Sequence, residues 1–363
     1  MSNQKKIAII VPGGFGTGKN NQGVPVLEQL VKLLSAQLDV TVFQLYKVND
    51  DYKVHGFRLL DFKSGNRWAQ YFKFLFSFYK TNREKKFDAV HGFWVWPCGF
   101  LAVVLGKLFG IKSIVSVLGG DAASLPAINY GHLRKFFSRT MILWSLKHAD
   151  ESTSLTEYLA INLRQAGLIR KLKIIPWGVD QTLFHYQEKP LQRPVQFLHI
   201  ANLHPVKDQE TLLRAFDIIR QNLPSHLTII GEGPEEQNLI QLIAQLKLQE
   251  AVTIRKQLSY EKLPAIYHQS DIVLHPSLAE GQSEVVTEAM SCGIVVAGTA
   301  VGLLHDFPEN GIVVPASNYR GLAKAVLTTI QDEEALKNIR ESAHRWARIH
   351  SILWTVERTI ELY

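Results

Sequence analysis

Within residues 276–290, the carboxylates of Glu280 and Glu288 have a spacing that suits a single binding site. Glu280 follows a predicted strand, and Ser283 is in position to cap a helix that carries Glu288 on its second turn. Carboxylates accept hydrogen bonds from the hydroxyls of sugars and ribose, and the exposed amides of a helix start suit phosphate. This one segment is therefore equipped to hold a nucleotide-sugar. A surface acid followed by an ordinary helix glutamate would give the same spacing.

The residues around the two glutamates resemble glycosyltransferase family 4, a family of retaining enzymes with the GT-B fold. The hallmark of that family is a Glu-x7-Glu pattern inside a Pro-Ser-x-x-Glu-Gly segment that ends in Glu-Ala-Met-x-x-Gly. The pattern is intact from Pro276 to Gly293. The resemblance continues in residues 175–180, 201–207 and 231–234. Several motifs in the family's order are more specific than any one of them alone.

The resemblance implies a role for each residue of the donor site. Glu288 is expected to hold the ribose of the nucleotide-sugar, and Glu280 to orient the sugar that is transferred. Lys207 and the amides of the helix start would stabilise the departing diphosphate, because a fixed cation is needed where phosphate charge develops. Asn202 stands where the family commonly has an arginine, so one positive charge is missing. The other predicted donor-binding residues are Gly281, Gln282 and Ser283.

A glycine-rich loop follows the first predicted strand. Residues 13–20 nearly match the phosphate-binding pattern GxxxxGK[ST], but Asn20 lacks the hydroxyl that would hold magnesium, so an NTPase is not favoured. In the family, glycines at this position let the backbone approach donor phosphates or the acceptor, since glycine has no Cβ. Gly14 and Gly16 are therefore candidate contacts. A flexible turn without a ligand is an equal alternative.

The acceptor side is less well defined. Residues 115–121 resemble a family stretch that ends in His-Gly-x-Asp, whose histidine lies near the transferred sugar. Leu118 occupies the histidine position, so a mechanism with that histidine is not expected. Asp121 remains as a predicted catalytic carboxylate on the acceptor side, or as a helix cap. His91, at the end of another predicted strand, either lines the acceptor side or is satisfied by the backbone.

Short β-branched runs alternate with helical patterns along the chain, which predicts parallel sheets with helices between the strands. Residues 176–194 interrupt this rhythm with prolines and a glycine, so a linker is expected there. With the resemblance, we predict an α/β protein of GT-B architecture, in which two doubly wound Rossmann-like domains face a cleft. Residues 1–180 would bind the acceptor and residues 195–340 the nucleotide-sugar. A final helix, 341–363, would cross back to the first domain.

The composition excludes several classes of protein. Of the 363 residues, 46% are hydrophobic and 20% charged, unlike disordered or fibrous chains. Cys98 and Cys292 form no CxxC pair and no zinc-type spacing, so neither disulfides nor a metal site is predicted and a cytoplasmic location is expected. No apolar run reaches the ~20 residues of a membrane span. No cofactor is expected, because the UDP- or GDP-sugar is a substrate.

The net charge of +7 predicts attraction to anions. Residues 67–86 mix aromatic side chains with lysine and arginine. On a helix this mixture suits a membrane interface, and it equally suits a domain helix that buries one aromatic face while its lysines are solvated. Nucleic acid is not expected as a partner, because no nucleic-acid-binding module is recognised.

We therefore predict a retaining, metal-independent glycosyltransferase. It would move a hexose-type sugar to a glycan or lipid-linked acceptor in cell-surface polysaccharide synthesis, in the cytoplasm or peripherally on the inner membrane face. Two alternatives stay open: a sugar-nucleotide epimerase on the same fold, and a nucleotide-sugar-binding subunit without catalysis. The second is motivated by Asn202, Leu118 and Lys256, three departures from the family's residues.

Overall fold

The computed structural model describes residues 4–18, 23–54, 56–62 and 65–363. The chain forms two compact units, and each is built around its own parallel sheet. The first unit contains the residues up to Trp177 together with Ile352–Tyr363, and the second contains Gly178–Ser351. The chain therefore passes from the first unit to the second and returns.

The sheet of the first unit has seven strands in the described residues, in the order β3-β2-β1-β4-β5-β6-β7. Alternate residues of the central strand β1 enter two cores: Ile7 and Ile9 pack on one face, and Ala8 and Ile10 pack on the other. Burial on both faces explains the unbroken apolar sequence of this strand. The strands are β1 Lys6–Val11, β2 Asp39–Gln44, β3 Arg58–Asp61, β4 Ala89–Phe93, β5 Lys112–Val117, β6 Glu151–Ser154 and β7 Lys173–Ile174. The helices are α1 Pro25–Ser35, α2 Arg67–Glu84, α3 Phe100–Phe109, α4 Phe136–His148 and α5 Glu157–Gln165.

The sheet of the second unit has six strands in the order β10-β9-β8-β11-β12-β13, again paired in parallel. Its strands are β8 Val195–Ile200, β9 Ser225–Ile230, β10 Val252–Arg255, β11 Ile272–His275, β12 Val295–Thr299 and β13 Ile312–Val314. Its helices are α6 Gln209–Asn222, α7 Glu236–Gln245, α8 Leu263–Gln269, α9 Glu284–Cys292, α10 Leu303–Asp306, α11 Tyr319–Ile330 and α12 Glu333–Ile349.

The strand order places the loops that matter for function. In the second unit the order reverses between β8 and β11, and in the first unit it reverses between β1 and β4. Open α/β sheets bind ligands at such a reversal, beyond the carboxyl ends of the strands. The loop after β8 carries Lys207 and the loop after β11 carries Glu280, so the two residues meet at this point of the second sheet.

The end of the chain differs from the single final helix expected over residues 341–363. α12 belongs to the second unit and ends at Ile349, and a separate helix, α13 Ile352–Ile360, belongs to the first. The break coincides with a β-bridge between Val179 and Ser351. A Cβ on Gly178 would lie only 2.1 Å from the carbonyl carbon of Ser351, so the two backbones pack directly against each other. This extended contact is incompatible with a continuous helix.

Candidate active site

A backbone hydrogen bond joins the loops that follow β8 and β11. The amide of Leu278 donates to the carbonyl of Val206 at 2.8 Å, and Lys207 ends a short turn that its own amide closes on the carbonyl of His204. Asp208 then caps α6 by accepting from the amide of Thr211. Lys207 is therefore presented by a rigid turn at the start of a helix.

The Gly231-Glu232-Gly233 motif fixes the same loop from the other side. A Cβ on Gly231 would lie 1.8 Å from the carbonyl oxygen of Ala201, and one on Gly233 would lie 2.3 Å from that of Leu203. The amide of Leu203 donates to the carbonyl of Glu232 at 2.9 Å. Only glycine permits this approach of two backbones, which explains the motif structurally.

Three donors converge on one oxygen of Glu280. Its Oε1 accepts from Lys207 Nζ at 2.6 Å, from Ser277 Oγ at 2.7 Å and from His275 Nε2 at 2.9 Å. Within the described part of the chain, Oε2 receives no hydrogen bond. The carboxylate is thus oriented by one oxygen while the other remains available to a ligand.

Glu280 is held in its ionised form. Its side chain is 9% exposed, and this burial by itself raises the pKa of the carboxyl. The charge of Lys207 and the hydrogen bond from His275 outweigh the burial and hold the pKa well below its usual range. A fixed carboxylate beside a lysine can accept hydrogen bonds from sugar hydroxyls while the lysine contacts phosphate.

Glu288 lies on α9 and is 3% exposed. Its Oε2 accepts a hydrogen bond from the hydroxyl of Tyr267 at 2.7 Å, and Tyr260 also bonds this carboxyl. Burial raises the pKa of Glu288 to about 7, against the lowering effect of the two tyrosine hydroxyls. Glu284 begins the same helix, and burial together with the charge of Glu288 raises its pKa to about 8. Glu284 is not among the site residues predicted from the sequence.

Ser283 occupies the cap position of α9, but the expected hydroxyl cap is wrong. It adopts a left-handed backbone conformation with φ of 78°, and its hydroxyl lies 3.0 Å from His275 Nε2 instead of bonding a helix amide. The hydroxyl of Ser283 therefore does not cap the first turn of α9, and amides at a helix start suit an anion. The neighbouring predicted residues are Gly281, which is partly buried, and Gln282, which is 4% exposed.

Asn202 differs from the other predicted donor residues. It is exposed, and its backbone carbonyl accepts bonds from the amide of His204 and from Gln209 Nε2. Its side chain makes no hydrogen bond to the residues that the structure describes. Among the described residues, Lys207 is the lysine or arginine that pairs with Glu280, at 2.6 Å.

In the first unit, the glycine loop is shaped by packing. Gly14 and Gly16 have φ of 126° and 54°, and a Cβ on Gly16 would lie 2.3 Å from the ring of Tyr52. Gln44 holds the loop through both the amide and the carbonyl of Phe15. The glycines at these positions are thus required by the fold itself. The near-match to GxxxxGK[ST] ends at Lys19 and Asn20, which lie outside the described residues.

Asp121 is 1% exposed, and its carboxylate accepts from the amides of Val95 and Trp96 at 3.1 and 3.4 Å. It does not cap the short helix in which it lies. Burial raises its pKa to about 6, while the backbone hydrogen bonds oppose that rise. Asp121 therefore clamps the loop that follows β4, and Leu118 beside it is packed into the core.

His91 belongs to a buried chain of hydrogen bonds. Its Nδ1 lies 2.9 Å from the hydroxyl of Tyr363 and its Nε2 lies 2.7 Å from Ser116 Oγ, which in turn contacts Thr153. Burial lowers the pKa of His91 to about 3, so the ring is neutral. Side chains, and not the backbone, satisfy this histidine.

Two family models match the chain, one in each unit. The model described as glycosyl transferase 4-like domain matches residues 23–178, and the model described as glycosyl transferases group 1 matches residues 180–346. An N-acetyl-alpha-D-glucosaminyl L-malate synthase of Bacillus anthracis is 30% identical over 280 residues, which are 72% of this chain and 70% of that protein. The chain belongs to the group 1 glycosyltransferases of family 4 type.

Solved structures share the fold of this group 1 glycosyltransferase. The sucrose-phosphate synthase of Thermosynechococcus elongatus matches with a TM-score of 0.84 at 20% identity. The matched region covers 99% of this chain and 98% of the synthase chain. Anabaena HepE, solved in complex with UDP, has a TM-score of 0.77 at 17% identity and covers 98% of both chains. The predicted α/β, GT-B fold is confirmed. The chain is a glycosyltransferase.

Proposed function

We propose that this glycosyltransferase transfers a hexose-type sugar from a UDP- or GDP-sugar with retention of anomeric configuration. The observation that carries the proposal is the carboxylate of Glu280, which is bound through Oε1 by Lys207, Ser277 and His275 while Oε2 is left for a ligand. UDP is favoured as the nucleotide, because HepE was solved with UDP and with UDP-glucose.

In the proposed donor complex, each described group has one task. Lys207 and the amides at the start of α9 bind the diphosphate, and Glu288 accepts hydrogen bonds from the ribose. Glu280 accepts hydrogen bonds from the sugar through Oε2. These contacts place positive charge where the leaving group becomes more negative. Such electrostatic stabilisation of the transition state is usually the largest single contribution to catalysis.

In the proposed reaction, the acceptor hydroxyl attacks the anomeric carbon from the face that the nucleotide leaves. The new glycosidic bond forms as the bond to the diphosphate oxygen breaks, and that phosphate oxygen takes the proton of the acceptor. A separate histidine base is unnecessary in this scheme, which agrees with a buried leucine at position 118. Lys207 and helix amides supply the positive charge, so we propose that the transfer needs no metal ion.

For the acceptor, we propose a glycan or a lipid-linked glycan of a cell-surface polysaccharide, used at the cytoplasmic face of the membrane. We assign acceptor binding to the first unit, with Gly14, Gly16 and the loop held by Asp121 as its candidate elements. None of the helices in residues 4–18, 23–54, 56–62 and 65–363 has the length and apolar character needed to cross a membrane.

Release of nucleoside diphosphate from a panel of UDP-, GDP- and ADP-sugars, with EDTA and with extracted lipid acceptors, tests this function. The wild type should release the diphosphate of one donor class, and Glu280→Gln should lose most of that release. Glu309→Gln is the control, because Glu309 is an exposed glutamate of the same unit. Binding of a donor without release under every condition would instead identify a silent binding subunit, and free sugar with no acceptor product would favour an epimerase.

A further inference from the structure

α2 carries a stripe of large apolar side chains on its outer face. Trp68, Phe72, Leu75, Phe76 and Tyr79 are 84, 72, 43, 61 and 47% exposed. At about 100° per residue, the five side chains fall within a sector of about 100°. We call these five residues the α2 outer stripe.

The inner face of α2 packs into the hydrophobic core of the first unit. Phe74 and Phe78 are fully buried and pack on Phe43 and Phe87 of the same core, with Thr81 buried on the same side. A helix that only covered a core would present polar residues to water. The α2 outer stripe is therefore additional to the fold, and contiguous exposed apolar surface of this kind marks an interaction site.

The charged residues around the α2 outer stripe indicate which class of partner it binds. Lys73, Lys80 and Arg83 are exposed on α2, and Lys85 and Lys86 follow it. Lys73, Lys80 and Arg83 form no ion pair with the residues that the structure describes, and Glu84 is the only acid in the helix. Lysine is depleted from the centres of protein interfaces. Aromatic side chains flanked by lysine and arginine, by contrast, suit the headgroup region of a bilayer, where the long cationic chains reach the phosphates.

We propose that the α2 outer stripe docks on an anionic lipid bilayer, with its aromatic side chains at the headgroup level and its cations on the lipid phosphates. Docking of this kind would hold the enzyme at the surface from which a lipid-linked acceptor is presented. It bears on the acceptor of the proposed function, but vesicle binding is measured without donor or acceptor. Either proposal can therefore fail while the other stands.

Co-sedimentation with vesicles tests the proposal, using neutral phosphatidylcholine vesicles and vesicles with about one third phosphatidylglycerol, at low and high salt. The wild type should bind the anionic vesicles and lose binding as salt rises, because the cations contribute through a screened potential. The double variant Trp68→Ser, Phe72→Ser should bind at least tenfold more weakly, as should Lys73→Glu, Lys80→Glu. Thermal melts and diphosphate release without lipid should match the wild type, because all four residues are exposed.

The matched control is Ile169→Ser, Leu353→Ser, which removes exposed apolar side chains of the same unit that lie off α2. It should bind anionic vesicles like the wild type. Three results would overturn the proposal: no binding of the wild type to anionic vesicles, equal loss in the control, or undiminished binding of the α2 variants. A wild-type dimer that becomes monomeric in the Trp68→Ser, Phe72→Ser variant, seen by sedimentation velocity without vesicles, would assign the stripe to a second copy of the chain instead.

Discussion

Removal of the hydroxyl of Ser277 should lower turnover without comparable loss of donor binding. Ser277 is fully buried and donates one of the three hydrogen bonds to Glu280 Oε1, at 2.7 Å. A hydrogen bond to a charged group contributes about 1.5–3 kcal/mol. If that orientation of Glu280 is used in the transition state, Ser277→Ala should reduce kcat about 10- to 150-fold, since about 1.4 kcal/mol corresponds to tenfold. KM for the donor should change little, because the nucleotide contacts proposed above are with Lys207 and Glu288.

The assay is steady-state release of nucleoside diphosphate, with kcat and KM determined separately. Ser291→Ala is the matched control, because Ser291 is equally buried in the same unit and donates a hydrogen bond to the carbonyl of Phe184 at 2.5 Å. Both variants should lower the melting temperature, and only Ser277→Ala should lower kcat. An unchanged kcat in Ser277→Ala, or an equal fall in the Ser291 control, would refute the positioning of Glu280 by Ser277.

Three further predictions concern binding and stability. Lys207→Ala should weaken binding of the nucleoside diphosphate about 10- to 100-fold in calorimetry, since a charge-assisted contact is lost, and an unchanged Kd would contradict the assignment. The pKa of Glu288 is about 7 in the folded protein against a usual 4.5, so the folded state favours the protonated side chain. The free energy of unfolding therefore includes the full contribution of this side chain below pH 4.5 and loses it as the pH rises towards 7. Glu288→Gln should therefore gain stability relative to the wild type between pH 5 and 8, by roughly 3 kcal/mol at most in urea unfolding, and a pH-independent difference would be evidence against it. Tyr363→Phe leaves Nδ1 of the buried His91 without its partner and should cost about 1–2 kcal/mol of stability with no loss of diphosphate release, whereas an unchanged melting temperature would argue against the bond.

The sequence was sufficient for the fold and for bringing Lys207 and Glu280 of the candidate site together, because both depend on local patterns. Alternating β-branched and helical runs predict parallel sheets, and the spaced motifs place Lys207 and Glu280 at the ends of two strands. The structure brings these two residues to a 2.6 Å contact. His275 and Ser277 were missed as partners of Glu280, although they lie five and three residues before it. Their position at the end of a buried strand was the available signal.

Other features depend on contacts that no local pattern contains. His91 and Tyr363 are 272 residues apart in sequence, and their hydrogen bond exists only because α13 belongs to the first unit. The cap expected from Ser283 fails because its backbone is left-handed and its hydroxyl contacts His275. For residues 67–86, the sequence left a helix at a membrane interface and an ordinary domain helix equally open. α2 buries Phe74 and Phe78 on one face and exposes the α2 outer stripe on another, which explains why its mixture of aromatic and basic residues agreed with both alternatives.

The most direct test of the donor site is a crystal structure with the nucleoside diphosphate that the donor panel identifies. We expect the diphosphate within hydrogen-bonding distance of Lys207 Nζ and the first amides of α9, and the ribose hydroxyls on Glu288. Oε2 of Glu280 should face the position of the sugar. A nucleotide bound elsewhere, or one bound here with no contact to Lys207 or Glu288, would contradict the assignment of this site.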